Sequence, residues 1–273
     1  MIEGLLLDID GVMVTSWEPL PGAVEAITTL ADRGMPRMFL TNTTSKSRAQ
    51  IAELLNRNGF GVRAAEILTA AKLTAEYLQA NYPGKRVWVL NQGDITSDMD
   101  GVNLVGGADG PPTDRDPEVV VLGGAGDVFT HQLLSRVLDF LLSGVPVIAM
   151  HRSTIWSTDH GLMIDTGVYL EGLEKASGKK IRAIGKPSPL GFRAAVEMMK
   201  LEPTSVLMVG DDMHNDILGA QASALVGALV RTGKFRQEAL VRLQRDEFGP
   251  VPDHVIGSIA DLPALVQKLS VEP

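Results

Sequence analysis

A short apolar run that ends in two aspartates, Leu5-Leu6-Leu7-Asp8-Ile9-Asp10-Gly11-Val12, constrains this chain more than any other feature. A strand buried on both faces reads as a continuous apolar run, and open α/β sheets meet their ligands at the carboxyl ends of such strands. Asp8 is therefore expected where a strand emerges into a binding crevice. Two carboxylates beside so apolar a run need something cationic. A second acidic turn, Gly210-Asp211-Asp212-Met213-His214-Asn215-Asp216, follows the apolar run Val206–Val209 far downstream.

Strand-like and helical patterns alternate from the start: Gly4–Leu7, Ala23–Ala31, Arg37–Leu40 and Ser47–Asn56. This βαβα rhythm predicts a parallel sheet with crossover helices. Pro21-Gly22 and Gly34 bracket the first helix, with Ala23, Ile27 and Leu30 on one buried face. In the middle, Val87–Leu90, Val119–Leu122 and Val145–Met150 read as strands, with a helix over Thr130–Leu142. Gly185-Lys186-Pro187 and Val206–Gly210 resume the style of the N-terminus, so the middle reads as an insertion. Residues 1–82 and 183–273 are expected to form a discontinuous core, with an inserted domain over residues 83–182.

Composition removes several function classes. Cysteine is absent, which excludes disulfides, thiolate metal sites and a cysteine nucleophile and suits a reducing compartment. The net charge of −8, without a basic cluster beyond pairs such as Lys179-Lys180, lacks the footprint of a nucleic-acid binder. Aromatic residues, at 5%, are too few for base-stacking platforms. No apolar segment reaches the ~18 residues of a membrane span, and no signal sequence opens the chain. The expectation is a soluble, cytoplasmic protein acting on a small ligand, with no nucleic-acid or membrane partner.

Singly, the polar motifs have ordinary explanations. Gly210-Asp211-Asp212 could cap a helix, Thr41-Asn42 could end a strand, and Lys186 could be a solvated surface charge. Pro187 biases Lys186 away from helical geometry. His131, His151, His160, His214 and His254 are dispersed, without metal-motif spacing. Gly123-Gly124-Ala125-Gly126 fails the G-x-G-x-x-G spacing and reads as a turn of the inserted domain.

In order, however, these motifs resemble the haloacid dehalogenase (HAD) superfamily of aspartate-nucleophile phosphatases over nearly the whole chain. The resemblance implies an α/β fold: a HAD-like Rossmannoid three-layer core with a parallel sheet, plus an inserted α/β cap domain of the type-two kind. It implies that Asp8 is the nucleophile and Asp10 the general acid and base. Thr41, Asn42 and Lys186 would bind phosphate. Asp8, the main-chain carbonyl of Asp10 and Asp211 would hold Mg²⁺. Asp212 would cap the helix beginning near Met213, and Asp216 would order the loop or Lys186.

Leu20-Pro21-Gly22-Ala23, the run from Thr41 to Arg48, Gly185-Lys186-Pro187-Ser188-Pro189 and Val230–Phe235 are similar to the p-nitrophenyl-phosphatase-like group. Within it, Gly161–Gly167 and Leu173–Gly178 resemble the cap of the phospholysine phosphohistidine inorganic pyrophosphate phosphatases and their HAD-domain-containing relatives. By the same resemblance, a cap loop at Asp165-Thr166-Gly167 would set specificity. Trp156 and Arg152-Ser153-Thr154 could line the cleft, the arginine gripping an anion. A cap exposing Leu133, Val137 or Phe140 would pair with a second copy as a homodimer. The expected activity is Mg²⁺-dependent hydrolysis of a small phosphorylated metabolite or pyrophosphate through an aspartyl phosphate. The alternatives are a phosphotransferase using the same intermediate and a non-catalytic phosphate-ligand binding protein.

Overall fold

The computed structural model describes residues 1–107, 110–111, 115–158, 161–238, 240–241 and 251–271. His160 lies outside them. The strands are β1 (Gly4–Leu7), β2 (Val14–Thr15), β3 (Glu18–Pro19), β4 (Arg37–Thr41), β5 (Ile67–Thr69), β6 (Val87–Leu90), β7 (Val119–Leu122), β8 (Val147–Ala149), β9 (Ile155–Thr158), β10 (Gly161–Ile164), β11 (Arg182–Ala183), β12 (Val206–Gly210), β13 (Val226–Val230) and β14 (His254–Ile256). The α-helices are α1 (Ala23–Asp32), α2 (Arg48–Arg57), α3 (Ala70–Asn81), α4 (His131–Ser143), α5 (Thr166–Ser177), α6 (Pro189–Met199), α7 (Gly219–Gln221) and α8 (Leu262–Val271).

Alternation along β1 decides the layers. Leu5 and Leu7 face one side, where Phe39, Leu207 and Val209 join them against Ile27 and Leu30 of α1, Ile51 and Leu55 of α2 and Val266 of α8. Leu6 faces the other side with Met38, Leu40 and Met208, against Leu73 of α3 and Phe192 of α6. The sheet is parallel throughout, in the order β14-β13-β12-β1-β4-β5. Strand order reverses between β1 and β12, so their carboxyl ends open a crevice.

A second parallel sheet, β11-β8-β7-β6, runs from Val87 to Ala183. One face buries Trp88, Val120 and Leu122 against α4 and α5. Its other face sends Val119, Val121 and Ile148 into the cluster that holds Leu73 and Leu78 of α3. Helix α3 is therefore packed between the two sheets.

Several expectations change. Val137 and Phe140 are core residues, Phe140 lying edge-on to Trp88 at 6.2 Å, because the apolar face of α4 is the one that covers the second sheet. They are not free to meet another copy. Helix α2 is capped by Ser47 in a reciprocal box with Gln50, so Thr41-Asn42 ends β4 without capping the helix. Asp165 is the N-cap of α5 and Thr166 and Gly167 its first turn, so this stretch is a helix start and not a loop.

Candidate active site

The carboxyl ends of three neighbouring strands deliver the polar groups. β1 leads into Asp8, β4 ends at Thr41, and β12 leads into Asp211; Asp8, Thr41 and Asp211 are all buried. Lys186 enters from the segment after β11, its Nζ 2.7 Å from Asp8 Oδ1 and 2.8 Å from Asp216 Oδ1. Burial alone would lower the lysine pKa, but the carboxylates of Asp216 and Asp8 more than offset it and hold the ammonium above its ordinary value. This is the cation Asp8 needed, and its second partner is Asp216 and not Asp10.

Asp10 sits just past the strand in a tight turn, where Gly11 N–H donates to Val14 O at 2.7 Å. Burial, then the neighbouring Asp8 charge, push the Asp10 carboxyl up to about 6, against Lys234 and Lys186. A carboxyl in that range can give a proton and take it back near neutral pH. Gly11 makes the turn with φ +83°, and a Cβ there would fall 2.0 Å from Asp211 Oδ2. Any side chain would displace the Asp211 carboxylate.

Asp211 Oδ2 accepts from Lys234 N–H at 2.7 Å, while Oδ1 is buried with no partner among the described residues. Burial raises its pKa; Lys234 opposes this, and the charges of Asp8 and Asp216 add to it. One oxygen from each of Asp8, Asp211 and Asp216 lies within 4.8 Å of the others. An orphaned carboxylate oxygen beside two more carboxylates is a donor set of hard oxygens, the kind that suits a divalent cation.

Asp212 and Asp216 are occupied structurally. Asp212 Oδ1 caps the wide turn Met213–Leu218 through His214 N–H at 3.0 Å and Asn215 N–H at 2.9 Å. Asp216 Oδ2 accepts from Asp212 N–H at 3.0 Å and spends its other oxygen on Lys186. Asn42 also spends its amide within the protein, donating to Lys186 O at 3.0 Å and Ser153 Oγ at 3.4 Å. Thr41 Oγ1 accepts from Thr43 N–H at 3.0 Å.

Asp8, Asp10, Thr41, Asn42, Lys186 and Asp216 line a cavity of about 190 Å³ whose wall also carries Asp165, His151, Ser153 and Trp156, while Asp211 borders the adjoining cavity. Of the three residues expected at the specificity loop, Asp165 alone faces this cavity. Thr166 donates to Gly123 O instead, and a Cβ on Gly167 would fall 2.3 Å from Arg152 O. Arg152 has its guanidinium paired with Glu174 and borders the adjoining cavity, not this one.

Sequence reasoning missed three contributors. The β2–β3 hairpin places Ser16 and Trp17 at the rim, with φ of 49° and 68°. Such hairpin turns favour Asn-Gly, so the sequence carries no turn signal there. Lys234 follows β13 in a loop stitched down by Thr232 Oγ1 donating to Gly11 O at 2.6 Å. The charges of Asp211, Asp8, Asp212 and Asp216 outweigh burial and hold this ammonium above its ordinary pKa. His151 was one of five dispersed histidines.

Comparison with known proteins agrees with this arrangement. Residues 5–105 match the haloacid dehalogenase-like hydrolase model and residues 183–262 a HAD-hydrolase-like model. The chain is 32% identical over 241 residues to the phospholysine phosphohistidine inorganic pyrophosphate phosphatase of Danio rerio, covering 86% of this chain and 85% of that one. A p-nitrophenyl phosphatase from Archaeoglobus fulgidus superposes with TM-score 0.84 at 27% identity, covering 97% of this chain and 99% of that one. The glycerol phosphate phosphatase of Mycobacterium tuberculosis, solved with magnesium, gives TM-score 0.81 at 26% identity, covering 96% and 76%. With aspartates at the ends of β1 and β12, a lysine bridging Asp8 to Asp216 and both flanking segments matched, the chain belongs to the haloacid dehalogenase-like hydrolases, as a HAD-type phosphohydrolase.

Proposed function

We propose that this chain is a Mg²⁺-dependent phosphatase that hydrolyses a small phosphorylated metabolite or pyrophosphate through an aspartyl phosphate on Asp8. The observation that carries it is the pair of aspartates sharing one cavity: Asp8 against Lys186 at 2.7 Å, and Asp10 with its pKa near 6. A carboxylate oxygen of Asp8 forms a bond to phosphorus as the bond to the leaving oxygen breaks, and Asp10 gives that oxygen its proton. Asp10, now a carboxylate, takes a proton from the water that cleaves the aspartyl phosphate, which returns Asp8. Lys186 and Thr41 offset and hold the phosphate oxygens.

Asp8, Asp211 and the main-chain carbonyl of Asp10 would hold the metal, which when bound neutralises charge on the phosphoryl oxygens. The unpartnered Asp211 Oδ1 supports that assignment. Residues 83–182 act in this reading as the cap over residues 1–82 and 183–273. The test is phosphate release from p-nitrophenyl phosphate across a Mg²⁺ titration. Chelation should take the rate to background, and Asp211→Asn should raise the Mg²⁺ needed for half-maximal rate at least roughly tenfold. Equal rates with chelator and with Mg²⁺ would remove the metal.

The reading extends to assembly. Leu162, Met163 and Ile164 on β10 are 48%, 52% and 57% exposed, and Trp156 on the paired strand β9 is 41% exposed. We assign this apolar hairpin to contact with a second copy of the chain, in place of α4. Sedimentation should show a dimer for the wild type and a monomer for Met163→Asp; a monomer for both rejects the assignment.

A further inference from the structure

One wall of the cavity carries a donor and an acceptor that the phosphoryl chemistry leaves unused. His151 follows β8 and is 2% exposed, yet it lines the cavity that holds Asp8 and Asp10. Its Nδ1 accepts from Ser153 N–H at 3.3 Å, so in the neutral ring Nε2 carries the proton. Burial holds the imidazole below its ordinary pKa, with Asp165 opposing, which keeps the ring neutral. Among the described residues no atom accepts from Nε2–H.

Asp165 supplies the acceptor. Its Oδ1 takes Thr166 N–H at 2.8 Å and Ala125 N–H at 3.3 Å, capping α5 and pinning the loop after β7. Its Oδ2 stands 3.9 Å from His151 Nδ1 and takes no hydrogen bond from the described residues. Ser153, which fixes the histidine tautomer, also meets Asn42 Nδ2 at 3.4 Å, so this wall is joined to the end of β4 beside Thr41. His151, Ser153 and Asp165 thus line the same cavity as Asp8 and Asp10.

We propose that His151 Nε2–H and Asp165 Oδ2 together read a hydroxyl group on an uncharged leaving group, making His151 a specificity-determining residue for hydroxylated alkyl phosphates. The inference rests on the phosphatase reading above. A hydroxyl accepts from the ring N–H and donates to the carboxylate, so one group satisfies both. A plain alkyl chain covers both groups and leaves them unpaired, which is the costly outcome. A second phosphate, as in pyrophosphate, sets negative charge against Asp165. An ammonium satisfies Asp165 alone.

The experiment compares kcat/KM at saturating Mg²⁺ for glycerol 3-phosphate, n-propyl phosphate, aminoethyl phosphate and pyrophosphate. In the wild type glycerol 3-phosphate should exceed n-propyl phosphate at least roughly tenfold. His151→Leu should reduce that ratio roughly tenfold, chiefly through KM for the diol. His151→Gln, which restores a donor near the ring Nε2 position, should recover part of it; a packing role predicts no such recovery. If His151→Leu does not fold, Asp165→Asn keeps the helix cap, removes the free carboxylate and should reduce the same ratio. A wild-type ratio near one, equal losses on both alkyl phosphates, or pyrophosphate or aminoethyl phosphate as the preferred substrate each overturn the inference while leaving phosphatase action standing. No turnover of any of the four, nor of p-nitrophenyl phosphate, overturns the phosphatase reading and the inference with it.

Discussion

Asp8→Asn should lower phosphate release roughly 10⁴-fold or more while the protein still folds, as expected when a nucleophile is removed from a set of groups that act together. An amide oxygen carries no charge to form the bond to phosphorus, and among the described residues no other carboxylate shares the Lys186 contact except Asp216, which is tied to Asp212 N–H at 3.0 Å. Folding survives because Asn fills the same space and Lys186 keeps Asp216 at 2.8 Å. The substitution also removes a charge that raises the pKa of both Asp10 and Asp211, so both become more acidic. Two readings check it: a melting curve close to the wild type, and the absence of acid-stable phosphate on the protein after a quench during turnover. Retained turnover in a folded Asn variant would assign the nucleophile elsewhere.

The parts of this molecule that were legible in the sequence share one physical property: their role is written in neighbouring residues. Gly4–Leu7, Val87–Leu90, Val119–Leu122 and Val206–Gly210 are strands with the bounds read from the chain, because doubly buried strands are unbroken apolar runs. Helix α1 starts where Pro21-Gly22 places it. Asp8, Asp10, Lys186 and Asp211 stood out for the same reason, each at the end of such a run or beside a proline, and they share one site. Ile67–Thr69 and His254–Ile256 are too short to show a period, and the β9–β10 hairpin puts Leu162, Met163 and Ile164 in solvent, against the usual pattern.

Ser16, Trp17, His151 and Lys234 were illegible for a different reason. Lys234 lies in the run Val230–Phe235 that carries the resemblance, but nothing adjacent marks its role or marks the other three, because their position follows from how distant segments meet. Thr232 binds Gly11 across 221 positions, and Asn42 meets Ser153 across 111. The specificity stretch shows both cases at once. Asp-Thr-Gly is a helix start by its local chemistry, and which of its residues faces the cavity is settled by α5 packing on the second sheet.

Lys186→Met should cost about 3–5 kcal/mol of stability near neutral pH, the scale for removing one partner of a buried ion pair. Its side chain is 3% exposed, and its ammonium is the shared counter-ion of Asp8, 7% exposed, and Asp216, 1% exposed. Without it two buried carboxylates face each other. Asp216 already has its pKa raised by burial, with Lys186 pulling it down; in the variant it rises further. The sign of the pH dependence follows. A carboxyl whose folded pKa lies above the unfolded ~3.9 binds more protons folded than unfolded, so stability falls as pH rises through the folded pKa and is regained on acidification. The deficit relative to wild type should therefore be largest near pH 8 and shrink towards pH 5, read as the difference in melting temperature between the two proteins in the same buffers without metal. Mg²⁺ should narrow the gap at pH 8, since a cation bound at Asp8 and Asp211 offsets part of the stranded charge. A deficit of the same size at pH 5 and pH 8, unmoved by Mg²⁺, would mean that Lys186 contributes through the packing of its stem and not through its charge.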